Sequence, residues 1–155
     1  YKSEELGYSP ELVLAGRKIN NNMPIWISNI IADQIAKINI DSKIIKVLIL
    51  GATFKENCPD FRNSKTKELV NILKEKKMDL KIIDPFFSDD IKNIYECKIS
   101  KEIPINEKFN VLICAVAHNE FKSLSIKKIK NLLEKKSIIF DLKGILPMSL
   151  NPIRP

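Results

Sequence analysis

The run Val47-Leu48-Ile49-Leu50 contains no polar residue and stops at Gly51. A strand with one wet face alternates apolar and polar side chains; a strand covered on both faces has no such need. Comparable apolar runs recur at Leu80–Asp84, where Pro85 ends the run, at Val111–Val116 and at Ser137–Leu142. Helical spacings lie between them. Over Lys65–Lys77, Leu69, Val70 and Leu73 fall on one face, behind Ser64 as the candidate N-cap. Asp89–Tyr95 fits a short helix and Ser125–Lys135 a longer one. Doubly covered strands that alternate with helices predict an α/β fold: a Rossmann-like, doubly wound parallel sheet with right-handed crossovers.

Residues 1–45 follow a different period. Leu14, Ile19, Met23, Ile27, Ile31, Ile35 and Ile38 recur at helical intervals. Pro24 lacks the N–H that a helix interior needs, so it should kink one long helix or begin a second. Asn20, Asn21 and Asn22 stand where they could cap that second piece. The segment therefore reads as a long connecting helix that precedes the sheet and is not part of it.

A chain of 155 residues, 45% of them hydrophobic, is enough for one core. No apolar stretch approaches the roughly 18 residues that a transmembrane helix needs, so membrane insertion is not expected. The chain opens without a Met, as if inside a longer polypeptide. Cys58, Cys97 and Cys114 are odd in number and widely spaced, with a single His elsewhere. That pattern favours neither a disulfide framework nor a structural metal site, and it suits a reducing, cytoplasmic setting. The net charge is +7, but the only arginines are Arg17, Arg62 and Arg154. Lys74, Lys76 and Lys77, and likewise Lys135 and Lys136, fall at predicted helix ends, where cations complement the dipole. A basic nucleic-acid-binding module is the alternative that this charge raises, and no reader motif or stacking platform accompanies it.

Ligands of open α/β sheets bind at the carboxyl ends of the strands, near the switch in strand order. That edge holds Gly51–Ser64, Asp84, Ala117-His118 and Leu142-Lys143-Gly144. A dinucleotide cradle wants three spaced glycines after the first strand; here Gly51 stands alone and the loop is long. A regulatory α/β domain of the receiver type would need an acidic cluster at the end of the first strand, where Leu50 and Gly51 stand instead. What the loop does hold is Lys55 and Arg62 with Asp60 between them, just before a helix N-terminus. Two cations beside free helix N–H groups form a candidate phosphate site.

The segment Thr53-Phe54-Lys55-Glu56-Asn57-Cys58-Pro59-Asp60-Phe61-Arg62-Asn63-Ser64 resembles the FK-x-x-x-x-D-x-R-x-S loop of the UDP-glucose/GDP-mannose dehydrogenase family. It is most similar to the bacterial branch that oxidises UDP-N-acetylhexosamines. Glu5–Glu11, Ala15–Asn20, Ala115–Phe121 and Phe140–Leu146 also resemble that branch, in the same order. The resemblance makes 1–45 the end of a central domain with its connecting helix, and 46–155 the UDP-binding Rossmann-like domain. It implies a two-step oxidation of the sugar C6 alcohol to a carboxylate for bacterial surface polysaccharides such as capsule or O-antigen. NAD would be bound mainly by an amino-terminal domain, the nucleophilic cysteine would lie upstream, and the whole enzyme would be a homodimer.

The same resemblance implies roles for single residues. Lys55 and Lys143 would bind the UDP-sugar, Arg62 would approach the NAD phosphates, and Asp60 would orient Arg62 or the loop. Lys143 departs from the pattern, since related enzymes often carry an Arg there; Lys offers a point charge where Arg offers a fork. No catalytic residue and no metal ligand is expected within this chain. Cys58 is read as a bystander, Cys97 and Cys114 as core or near-core. His118 and Asp84 stand at the ligand edge, each read first as a residue that hydrogen-bonds a loop or turn.

Overall fold

A computed structural model describes residues 7, 10–92, 94–95 and 97–155. Of the resembling stretch 5–11, residues 5, 6, 8 and 9 lie outside the described residues. The chain forms helix α1 (Glu11–Lys37), strand β1 (Lys46–Leu50), helix α2 (Lys65–Glu75) and strand β2 (Asp79–Ile83). A 3-10 turn (Asp89–Ile91) leads to strand β3 (Lys98–Ser100) and strand β4 (Phe109–Cys114). Helices α3 (Asn119–Lys122) and α4 (Ile126–Asn131) then precede strand β5 (Leu133–Asp141) and a second 3-10 turn (Met148–Leu150).

The five strands are all parallel, in the order β3-β2-β1-β4-β5. Ile153 adds a parallel bridge to Phe140 beyond β5. Alternate residues of β1 serve different cores, as double winding requires. Val47 and Ile49 pack with Leu69, Val70 and Leu73 of α2 and with Ile27 and Ile31 of α1. Leu48 and Leu50 pack with Phe121, Ile129 and Leu132 on the other face. This is the α/β sheet that the apolar runs predict.

α1 is one continuous helix through Pro24. The three asparagines lie inside it and cap nothing, so of the two forms that Pro24 allows the chain takes the single long helix. Proline withholds a single N–H, and the Pro24 ring is buried, so packing outweighs one lost bond. Only the later half docks on the sheet domain: Pro24, Ile27, Ser28 and Ile31 are buried, and the Trp26 ring meets Phe140 edge-on. Leu12, Val13 and Ile19 of the earlier half are exposed.

Other boundaries moved for tertiary reasons. α2 ends at Glu75, and Lys77 takes a left-handed φ of 59°, the conformation that commonly terminates helices. The short helix near Asp89 is only a 3-10 turn. α4 stops at Asn131, because Leu132 accepts from the Phe109 N–H at 2.8 Å and Leu133 already pairs with Phe109. β5 therefore starts four residues before the expected Ser137, and Lys135 and Lys136 sit in that strand instead of closing a helix. β3 was not foreseen: three residues at the sheet edge carry too little pattern.

Gly51 ends β1 with φ +100°, and an added Cβ would lie 2.7 Å from Val116 Cγ2 and 2.9 Å from its backbone nitrogen. Both the conformation and the close approach of the β1 and β4 ends demand glycine. Gly51→Ala should destabilise the domain by roughly 3 kcal/mol, from backbone strain plus overpacking. Urea unfolding checks this; a midpoint equal to that of the parent would contradict it.

Candidate functional site at the sheet switch point

β1 and β4 are neighbours at the centre of the sheet, and the chain leaves them in opposite directions. The loop 51–64 runs to α2, while 115–118 runs to α3. The gap between those exits is where an α/β sheet offers a ligand site.

The loop is tied down from beneath by Asp84, which is fully buried. Its Oδ2 accepts from the N–H groups of Ala52 at 2.7 Å and Thr53 at 3.0 Å, and its Oδ1 accepts from Phe86 N–H at 2.9 Å. The Tyr95 hydroxyl donates to the Ala52 carbonyl at 2.6 Å, so Ala52 is held on both sides. Burial alone would raise the Asp84 pKa. The hydrogen bonds from His118 and from the Ala52 and Phe86 amides outweigh it and hold the carboxyl below its ordinary value.

His118 joins the other side of the gap to the same loop. Its Nε2 lies 2.9 Å from Thr53 Oγ1 and 3.3 Å from Asp84 Oδ2. Its Nδ1 accepts from the Asn57 N–H at 3.0 Å, which assigns the ring proton to Nε2. The ring is fully buried and packs between Phe86 and Phe121. Asn57, at φ 55°, returns the tie by accepting from the Asn119 N–H at 3.1 Å. His118 thus fastens the loop, with both nitrogens occupied, and Asp84 does so likewise.

A cleft of about 330 Å³ opens between this loop and α1. Thr53, Asn63 and Lys65 line it from the loop and the start of α2, and Val116 from the segment after β4; Lys143 comes from the turn after β5. Met23 and Pro24 of α1 form its apolar wall. Ser64 caps α2 by accepting from the Thr66 N–H at 3.3 Å and donates to the Thr53 carbonyl at 3.4 Å. A helix N-terminus, Lys65 and Lys143 make the cleft favourable for an anion. Lys65 also pairs with Glu68 at 2.6 Å.

The four residues singled out in the sequence are not gathered in one place. Lys143 lines the cleft, whereas Lys55 and Arg62 are exposed on the loop and do not line it. Asp60 grips Arg62 as a fork: Arg62 Nε donates to Oδ1 at 3.0 Å and Nη2 to Oδ2 at 2.9 Å. That guanidinium pulls the Asp60 pKa down to about 2. The cysteines divide: Cys58 is half-buried on the loop, while burial pushes the Cys97 thiol up to about 11 and the Cys114 thiol up to about 12. The pair Asp141 and Arg154, joined at 3.0 Å, escaped the sequence reading; its only trace was an arginine in a chain that otherwise prefers lysine.

Residues 48–148 match the UDP-binding domain of the UDP-glucose/GDP-mannose dehydrogenase family. The chain belongs to this family. It is 34% identical over 159 aligned residues to the UDP-N-acetyl-D-glucosamine 6-dehydrogenase of Salmonella typhi, covering 99% of this chain and 36% of that protein. The enzyme of the same name from Pseudomonas aeruginosa is 33% identical over 99% of this chain and 36% of its own length. The chain thus spans about a third of the length of the curated relatives it matches. Its fold is that of a UDP-D-ManNAc dehydrogenase from Pyrococcus horikoshii, with a TM-score of 0.76 at 21% identity, over 98% of this chain and 34% of that one. No helix among the described residues is long and apolar enough to cross a membrane.

The residues do not fit a dinucleotide in the usual Rossmann manner. The place of the missing glycines is filled by the Asp84 and His118 ties, and Val116 crowds Gly51.

The Asp84 ties predict a pH signature. A carboxyl whose folded pKa is depressed contributes stability that is present above its unfolded value, about 3.9, and is lost as pH falls through the folded value. Asp84→Asn sets an amide N–H₂ among backbone donors, and should cost roughly 3 kcal/mol at neutral pH. The loss should shrink in acid. Unfolding curves between neutral and acid pH check this; an equal loss at every pH would contradict it.

Proposed function

We propose that this domain holds the UDP part of the substrate for an NAD-dependent UDP-sugar 6-dehydrogenase acting on a UDP-N-acetylhexosamine. The cleft at the switch point carries the proposal: an anion-favouring site with an apolar wall, in a domain of the UDP-binding family. A uridine diphosphate combines a flat, partly apolar base with a strongly anionic end. Met23 and Pro24 suit the first; Lys143, Lys65 and the start of α2 suit the second.

In this reading Lys143 pairs with the diphosphate as a point charge. Lys55, exposed on a loop whose backbone is fastened by Asp84 and His118, reaches outward to the sugar end of the substrate. Arg62, 87% exposed and held by Asp60, meets the phosphates of NAD bound by another domain. The domain's own residues bind and orient; the oxidation chemistry and its cysteine belong to the remainder of the enzyme. The names of the relatives support the acetylated hexosamine as substrate. Surface-polysaccharide synthesis in the bacterial cytoplasm, by a homodimer, completes the proposal.

UDP should stabilise this chain against heat. A ligand at about 100 times its dissociation constant adds roughly 2.7 kcal/mol, on the order of 5–10 °C for a domain of this size. ATP and a short oligonucleotide serve as controls. A shift with UDP above both supports the reading; a shift with the oligonucleotide alone would replace it with the basic-module alternative.

A further inference from the structure

The turn that carries Lys143 is held by a buried carboxylate. Asp141, the last residue of β5, is fully buried. Its Oδ1 accepts from the Ile145 N–H at 3.2 Å and its Oδ2 from the Leu146 N–H at 2.9 Å. Both donors lie just past Lys143 and Gly144, so the carboxylate closes the turn around Lys143. Gly144 makes the reversal at φ +66°.

Arg154 completes this closure from the end of the described chain. Its Nε and Nη2 donate to Asp141 Oδ2 at 3.2 and 3.0 Å, and Nη2 also donates to the Leu146 carbonyl at 2.6 Å. The guanidinium therefore touches both the carboxylate and the far side of the turn. Its own position is fixed by backbone pairing. Ile153 N–H donates to the Ile139 carbonyl at 2.8 Å, and Asp141 N–H donates to the Ile153 carbonyl at 2.8 Å. Pro155, the next residue, lines the same cleft as Lys143.

Without Arg154 the buried Asp141 charge would lose its counter-ion. A buried charge left unpaired draws in water or rearranges, and the groups free to rearrange here are those of the turn. We propose that Arg154 is a positioning residue of the cleft: acting through Asp141, it holds the turn that presents Lys143 to the diphosphate. The proposal rests on the reading of the cleft as the UDP site.

The test uses the full-length enzyme that carries this domain, with UDP affinity measured by calorimetry. Lys143→Ala and Arg154→Ala should each weaken UDP binding roughly tenfold, the loss of one charge-assisted contact. The double variant should be no weaker than Lys143→Ala alone, because both changes remove the same contact. Arg154→Lys should recover part of the affinity, since it keeps the charge but not the fork. A roughly hundredfold loss in the double variant, the additive result, would overturn the proposal, as would unchanged affinity in Arg154→Ala.

Amide hydrogen exchange gives a readout that needs no nucleotide. Exchange at Ile145 and Leu146 should speed up in Arg154→Ala while exchange in β1 stays as in the parent. Unchanged exchange at the turn overturns the proposal even where UDP binds. A parent enzyme that binds no UDP overturns the reading of the cleft, and the proposal with it, whatever the exchange shows.

Discussion

The buried carboxylate of Asp84 is the interaction on which the site depends. It sits at the end of β2 and reaches under the end of β1, where it takes two consecutive N–H groups of the loop. Those two donors belong to buried residues and would otherwise be orphaned, at a cost of about 1–3 kcal/mol each. The same oxygen lies beside His118, which comes from beyond β4. One charge therefore joins three neighbouring strand ends at the switch point. The long loop leaves the sheet with a fixed backbone, so its exposed cations have defined starting points.

A second carboxylate repeats the device on the other side of the cleft. Asp141 stands at the end of β5 as Asp84 stands at the end of β2, and each gathers backbone N–H groups of the turn that follows. Between these two anchored turns lie the capped start of α2 and the wall of α1. The site is thus made of loops, but of loops whose donors are assigned. An anion that enters the cleft meets Lys143 and Lys65 without the backbone having to reorganise, which lowers the entropic cost of binding.

Much of the architecture was legible because its signals are local. The unbroken run ending at Gly51 marks a doubly covered strand, and Ser64 before an amphipathic stretch marks a helix start; both hold in the structure. The long loop resembled its family closely enough to place the chain. What escaped depends on distant partners. Nothing near Asp84 in the sequence indicates that it will serve Ala52, 32 residues away, or that Asn57 will meet His118, 61 residues away. The early end of α4 is set by pairing with Phe109, not by any breaker in its own sequence. Lys55 and Arg62 looked like one cradle with the helix, yet the fold turns both outward and leaves Lys143 to the cleft.

UDP is expected in the cleft that Asp84 and Asp141 fasten. Amide chemical-shift mapping of this chain during a UDP titration tests it most directly. Saturable shifts are expected at Asn63–Thr66, Ala115-Val116 and Leu142-Lys143, with little change at the amino ends of the strands near Lys46 and Lys108. Shifts confined to those lysine-rich strand starts, with the cleft amides unmoved, would contradict it.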